Sequence, residues 1–136
     1  MKKNCIVYLV RTSEEDLINL NKSLELADNN LLSATQADII LFHEVSFNEY
    51  KSRVYVPVNA NVIFQLVDFP TPPKDAPEIF PHPIPEQVAM GNLGFSMGYR
   101  HMCWFFSGGM FDEPIMSYYK YWLRLDTDSY MLSKLD

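Results

Sequence analysis

Near the end of the 136-residue chain, the apolar stretch Leu123-Arg124-Leu125 delivers two acids, Asp126 and Asp128, separated only by Thr127. Carboxylates this close repel and hold one proton in common unless a cation neutralises them. A divalent metal removes the repulsion and supplies a charge able to bind a diphosphate. Acidic pairs after strands are also ordinary turn chemistry, so the spacing alone leaves both readings open. Arg11, at the end of the first apolar run, is a second polar group at a strand end. In α/β folds ligands collect at the carboxyl ends of strands.

Bulk properties narrow the ligand. Seventeen acidic against 11 basic side chains leave a net charge of -6, and the basic residues are scattered. A phosphate backbone needs a concentrated basic surface, so nucleic acid is not expected as a partner. A small anion remains accessible, because one or two Arg with a metal can hold a diphosphate within an acidic protein. Cys5 and Cys103 lie in apolar segments and read as reduced packing residues. His43, His82 and His101 lack close ligand spacing, which gives a zinc site little support. No run approaches the ~20 apolar residues of a membrane span, and the start lacks a cleavage site. The chain as given is expected to be soluble, with no signal peptide or transmembrane segment.

The elements that must position these residues alternate. Cys5 to Val10 reads as a buried strand. Thr12 or Ser13 then caps a helix whose first turn holds Glu14, Glu15 and Asp16, where carboxylates suit the helix dipole. Leu17, Leu20, Leu24, Ala27 and Leu31 form its apolar stripe, and Asp28-Asn29-Asn30 is expected to end it. Ala37 to His43 is a second strand, Phe47 to Lys51 a short helix, and Asn61 to Asp68 a third strand. This order predicts an α/β fold with a mostly parallel sheet flanked by helices. A proline-rich loop follows at 69–85. Beyond it come a helix over Phe95 to Phe106 closed by Ser107-Gly108-Gly109, and a short helix from Asp112-Glu113-Pro114 to Tyr119. A last strand, Tyr121 to Leu125, leads into the acid pair. Residues 1–136 are expected to make one donor-binding (sub)domain.

One stretch carries a resemblance. It runs from Tyr99-Arg100-His101-Met102-Cys103-Trp104-Phe105-Phe106-Ser107-Gly108 through Phe111-Asp112-Glu113-Pro114-Ile115 to Tyr121-Trp122-Leu123-Arg124-Leu125-Asp126-Thr127-Asp128. In order and spacing it resembles the fungal α-1,2-mannosyltransferase family, glycosyltransferase family 15. That family has a Tyr-Arg-x-Met-Cys-Arg-Phe-x-Ser-Gly helix, a Phe-x-x-Pro-Leu segment and an aromatic strand ending in Glu-Pro-Asp. Leu9-Val10-Arg11 is similar to its opening Leu-Val-Arg.

The resemblance implies the A-type nucleotide-diphospho-sugar transferase fold, a GDP-mannose-like donor, a glycan or glycolipid acceptor, and Mn2+ or another divalent cation. It makes Asp126 and Asp128 the metal ligands and adds Arg11, Tyr99 and Arg100 to the donor site. Trp104 stands where the family has Arg, and Asp126-Thr127-Asp128 replaces Glu-Pro-Asp. The family continues well past its acidic motif, so the chain is expected to be a donor-binding fragment that could self-associate through exposed apolar surface.

Two other functions compete. A haloacid-dehalogenase type of phosphoryl transfer also uses Asp-x-Asp, but there the pair follows the first strand rather than the last. A nucleotide-sugar binding or interaction module without turnover is the non-enzyme alternative.

Overall fold

Parallel pairing organises the sheet, and the register follows from which apolar runs must be buried on both faces. In the computed structural model, which describes residues 2–69 and 97–135 without the side chains of 97–100, four strands line up in the order β3-β2-β1-β4. They are β1 (Asn4–Leu9), β2 (Ala37–His43), β3 (Val62–Leu66) and β4 (Tyr121–Arg124), and every pairing is parallel. All of β2 is buried, its apolar run Ile39-Ile40-Leu41-Phe42 together with the polar Asp38 and His43 on either side of it.

Two compact units make up the chain. Met1–Asp68 with Ser117–Asp136 form the first, and Phe69–Met116 the second. The proline-rich loop expected at 69–85 lies outside the described residues, apart from Phe69.

In the first unit, helix α1 (Glu14–Ala27) packs on one face of the sheet. Leu17, Leu20, Leu24 and Ala27 meet Ile6, Tyr8, Ile39 and Leu41 in one core cluster. Each fully buried leucine is worth roughly 1.5–3 kcal/mol over an exposed one, so this stripe dominates the docking of α1. On the opposite face Cys5, Val7, Ile40 and Phe42 are buried too.

The helical path does not stop at Asp28-Asn29-Asn30. It widens into a π-helical stretch, Asp28–Leu32, runs on through the short helix α2 (Ser33–Thr35), and ends where Gln36 turns left-handed with φ 50°. Asp28 fails as a stop because its side chain is engaged elsewhere. One oxygen accepts the Tyr55 hydroxyl and the Val58 N–H; the other accepts the N–H and side-chain amide of Asn59. Burial would raise this carboxyl, but the surrounding donors outweigh it and hold the group below the usual carboxylate range.

A 3-10 helix, Val45–Arg53, replaces the shorter helix expected at Phe47 to Lys51. After β4 the chain runs back beside α1. The Ser129 carbonyl accepts the Ser23 hydroxyl, Tyr130 donates to Asn19, and the Met131 carbonyl accepts the Asn30 amide.

The second unit contains helix α3 (Met97–Ser107) and a 3-10 turn, Gly109–Asp112. The Trp104 ring lies on Gly109, so closely that an added Cβ would stand 2.6 Å from two of its atoms. Trp104, where the resembled family has a cation, therefore packs against the turn that closes its own helix. His101 stacks on Phe69, with ring centroids 4.5 Å apart and planes 7° from parallel. Among the described residues no helix is long and apolar enough to cross a membrane.

Candidate functional site

The strand order reverses at β1: β2 and β3 extend the sheet to one side, and β4 joins on the other. Such a switch point opens a crevice outside the carboxyl ends of the two strands flanking it. The polar residues that follow β1 and β4 stand at this edge. Val7 pairs with Arg124, and the Leu125 N–H still donates to the Val7 carbonyl at 3.0 Å. Arg11 and Asp128 each come four residues past that pair, so the structure brings Arg11, Asp126 and Asp128 to one edge.

The acids sit on a tight turn. The Ser129 N–H donates to the Asp126 carbonyl at 2.9 Å, and the Asp126 N–H donates to the Ser129 hydroxyl at 3.1 Å. Within it Thr127 is buried while Asp126 and Asp128 are exposed. Thr127 donates its hydroxyl to Asp16 Oδ1 at 2.6 Å, and Asp16 Oδ2 accepts the Arg11 N–H at 2.5 Å. Arg124, the last residue of β4, directs Nε and Nη2 to a single oxygen of Asp126, at 3.0 and 2.9 Å. Asp128 makes no hydrogen bond or ion pair among the described residues.

The exit of β1 is not a phosphate-binding loop of the glycine-rich kind. Ser13, in extended conformation, caps α1 by accepting the Asp16 N–H, and the first turn carries Glu14, Glu15 and Asp16. Three carboxylates at the positive end of the dipole leave no place for a bound anion there. The Arg11 side chain is exposed. Glu14, close by in sequence, binds Arg53, both oxygens at 2.7 Å. Arg53 stands at the end of the 3-10 helix, beside the start of α1, and takes that partner.

His43 ends β2, next to β1 on the same edge, and sequence reasoning gave it no role. It is buried against Phe47 and Phe64, its Nδ1 donates to the Glu44 carbonyl at 2.8 Å, and its Nε2 has no hydrogen-bond partner. Burial pushes the imidazole below its ordinary value, keeping it neutral. Asp16 was read only as a helix-dipole residue. The signal for more was its place three residues after the capping Ser13, with a side chain free to reach elsewhere.

Tyr99 and Arg100 belong to the backbone of α3 in the second unit, and their side chains lie outside the described residues. Among the described residues no group of three or more His, Cys, Asp or Glu gathers as a metal cage. Two exposed carboxylates nevertheless suit a hard divalent cation that takes its remaining oxygens from substrate phosphates and water. A cavity of about 530 Å³ opens elsewhere, lined by residues including Lys2, Lys51, Tyr55, Asn59 and Phe64 but by neither Arg11 nor the acid turn. At the acid edge, by contrast, carboxylates and a cationic side chain follow the two strands that flank the switch point.

The parallel sheet, with its helices, has a counterpart among solved glycosyltransferase structures. It superimposes on the crystal structure of core-mannan synthase A (CmsA/Ktr4) from Aspergillus fumigatus, a Mn/GDP form, with a TM-score of 0.63 and 20% identity. The match covers 94% of this chain and 35% of that one. In sequence, the chain is 31% identical over 137 residues to the probable mannosyltransferase KTR3 of Saccharomyces cerevisiae, covering 93% of this chain. It is 28% identical over 144 residues to the glycolipid 2-alpha-mannosyltransferase 1 of Candida albicans, covering 98% of this chain. No family model matches the sequence. The chain belongs to the fungal-type α-1,2-mannosyltransferase family, glycosyltransferase family 15. It spans 32% of the length of each of the two sequence relatives.

Proposed function

We propose that residues 1–136 form a single donor-binding (sub)domain of a glycosyltransferase that takes a GDP-mannose-like donor through a divalent cation, Mn2+ by preference, held by Asp126 and Asp128. The observation that carries this reading is the meeting of the acid turn and Arg11 at adjacent parallel strand ends, where the sheet order reverses. The relatives' names supply the sugar, and the Mn/GDP form of the structural neighbour supplies the nucleotide and the metal.

In this reading the bound cation offsets the charge that grows on the departing diphosphate, a stabilisation worth several kcal/mol. The chain's own residues do the rest. Asp126 and Asp128 give two oxygens to the cation. Arg11 contributes a permanent positive charge near the nucleotide; Tyr99 and Arg100 are donor-binding candidates on the family resemblance alone. The acceptor is a glycan or glycolipid.

Titration calorimetry of GDP-mannose with and without Mn2+, on the wild type and Asp128→Ala, tests this. Binding that requires Mn2+ and is lost in Asp128→Ala supports it, and metal-independent binding or none contradicts it. A parallel assay for transfer or donor hydrolysis separates an enzyme from a binding module without turnover.

A further inference from the structure

Asp16 is only 7% exposed, and among the described residues its carboxylate neither meets a basic side chain nor closes the ordinary capping box. In that motif the third helical residue reaches back to the N–H of the cap itself. Here the side chain passes over Ser13. One oxygen takes the N–H of Arg11, two residues before the cap, and the other takes the hydroxyl of Thr127, more than a hundred positions away. Ser13 reinforces the near side, accepting the Asp16 N–H and donating its own N–H to the Arg11 carbonyl. The far side is reinforced by Ser23, which donates to the Ser129 carbonyl and lies 2.8 Å from the Tyr8 hydroxyl. A buried carboxylate has thus spent both oxygens on joining the exit of β1 to the centre of the acid turn.

We propose that Asp16 is a positioning residue of the donor site: it fixes Arg11 and the Asp126/Asp128 pair relative to each other by holding Thr127 inward. The inference rests on the cation reading of Asp126 and Asp128 given above. Thr127 is the only residue between the two acids, so a hydroxyl drawn under the helix start leaves its neighbours facing solvent, as observed. With the tie cut, Thr127 is free to turn outward and the acids lose their common direction. Groups that orient metal ligands typically tune metal affinity about ten- to a hundredfold; Asp16 touches neither acid and acts through Thr127.

The chemistry of the tie distinguishes its variants. Asp16→Asn keeps both bonds if its carbonyl accepts from Arg11 and its amide donates to Thr127, whose hydroxyl can accept as well as donate. Asp16→Ala loses both. Thr127→Val cuts only the bond to the acid turn and leaves the helix cap whole, so it remains informative should Asp16→Ala fail to fold.

The test pairs two measurements on the four proteins: Mn2+ affinity by electron paramagnetic resonance in the presence of GDP, and metal-free amide hydrogen exchange. Asp16→Ala and Thr127→Val are expected to weaken Mn2+ binding about tenfold or more, with Asp16→Asn close to wild type. Exchange at Asp126 and Ser129, whose N–H groups close the turn, is expected to quicken in the two damaging variants, while Ile39 to Leu41 stay protected. Unchanged Mn2+ affinity in both damaging variants, beside a wild type that binds, overturns the proposal whatever exchange reports. A wild type that binds no Mn2+ overturns the donor-site reading itself.

Discussion

Arg124 grips one oxygen of Asp126 with two of its nitrogens, at 3.0 and 2.9 Å. The pair is partly open to solvent, with side-chain exposures of 37% and 54%. Ion pairs of this kind contribute about 0–1 kcal/mol, so a divalent cation arriving at Asp126 displaces or shares with the guanidinium at little cost. Arg124→Gln is therefore expected to raise the affinity for Mn2+ alone by up to about fivefold. Titration with Mn2+ in the absence of nucleotide measures it, and weaker binding in the variant would mean that Arg124 supports the acid turn instead of competing for it.

Asp28 gives a stability prediction independent of any ligand. Its carboxylate is 2% exposed and satisfies the amides of Val58 and Asn59 together with Tyr55 and the Asn59 side chain. Asp28→Ala leaves those donors without their acceptor, at an expected cost of about 2–4 kcal/mol in urea unfolding. The folded-state value is depressed, so this contribution is whole above the unfolded value near 3.9 and fades as pH falls through the lower folded one.

His43 has the opposite charge logic. Burial is the main cause of its lowered value; the Glu44 carbonyl opposes it and Lys51 adds to it. The unfolded chain then takes up this proton first as pH drops below about 6.5. Stability is undiminished above that point and is lost progressively below it, down to the folded-state value. Urea midpoints of wild type and His43→Leu between pH 5 and 8 are expected to diverge in slope, the variant being flatter. Parallel slopes would show that His43 does not carry this acid sensitivity.

Gly109 is expected to resist substitution because of Trp104. A Cβ there meets the indole at 2.6–2.9 Å, and an overpacked contact of this kind costs about 1–3 kcal/mol. Replacing Trp104 by Arg in the same molecule removes the ring and should recover part of the loss in thermal unfolding. Equal loss in the single and double variants would locate the strain elsewhere.

The sequence was most legible where one physical signal stood alone. β2 was bounded as observed because the apolar run Ile39-Ile40-Leu41-Phe42 stands out between polar segments. The helix cap was legible as Thr12 or Ser13 from the three acids that follow, and Ser13 takes the role. Reading failed where a side chain's partner was remote. Asp28 looked like a helix stop, since nothing local announces the amides of residues 55–59. Glu14 read only as a first-turn acid of the helix, while Arg53 arrives from the 3-10 helix to pair with it. Asp16 has an ordinary address in a first helical turn, and only the parallel pairing of β1 with β4 brings Thr127 within its reach. The acid pair was visible, but its guanidinium neighbour was not read as a competitor.

The most direct test of the donor-site account is anomalous diffraction from crystals of this chain grown with Mn2+ and GDP. The account predicts a manganese peak within about 2–2.5 Å of carboxylate oxygens from both Asp126 and Asp128, with diphosphate density on its far side. Manganese bound elsewhere, or GDP bound with the acid turn empty, would contradict it.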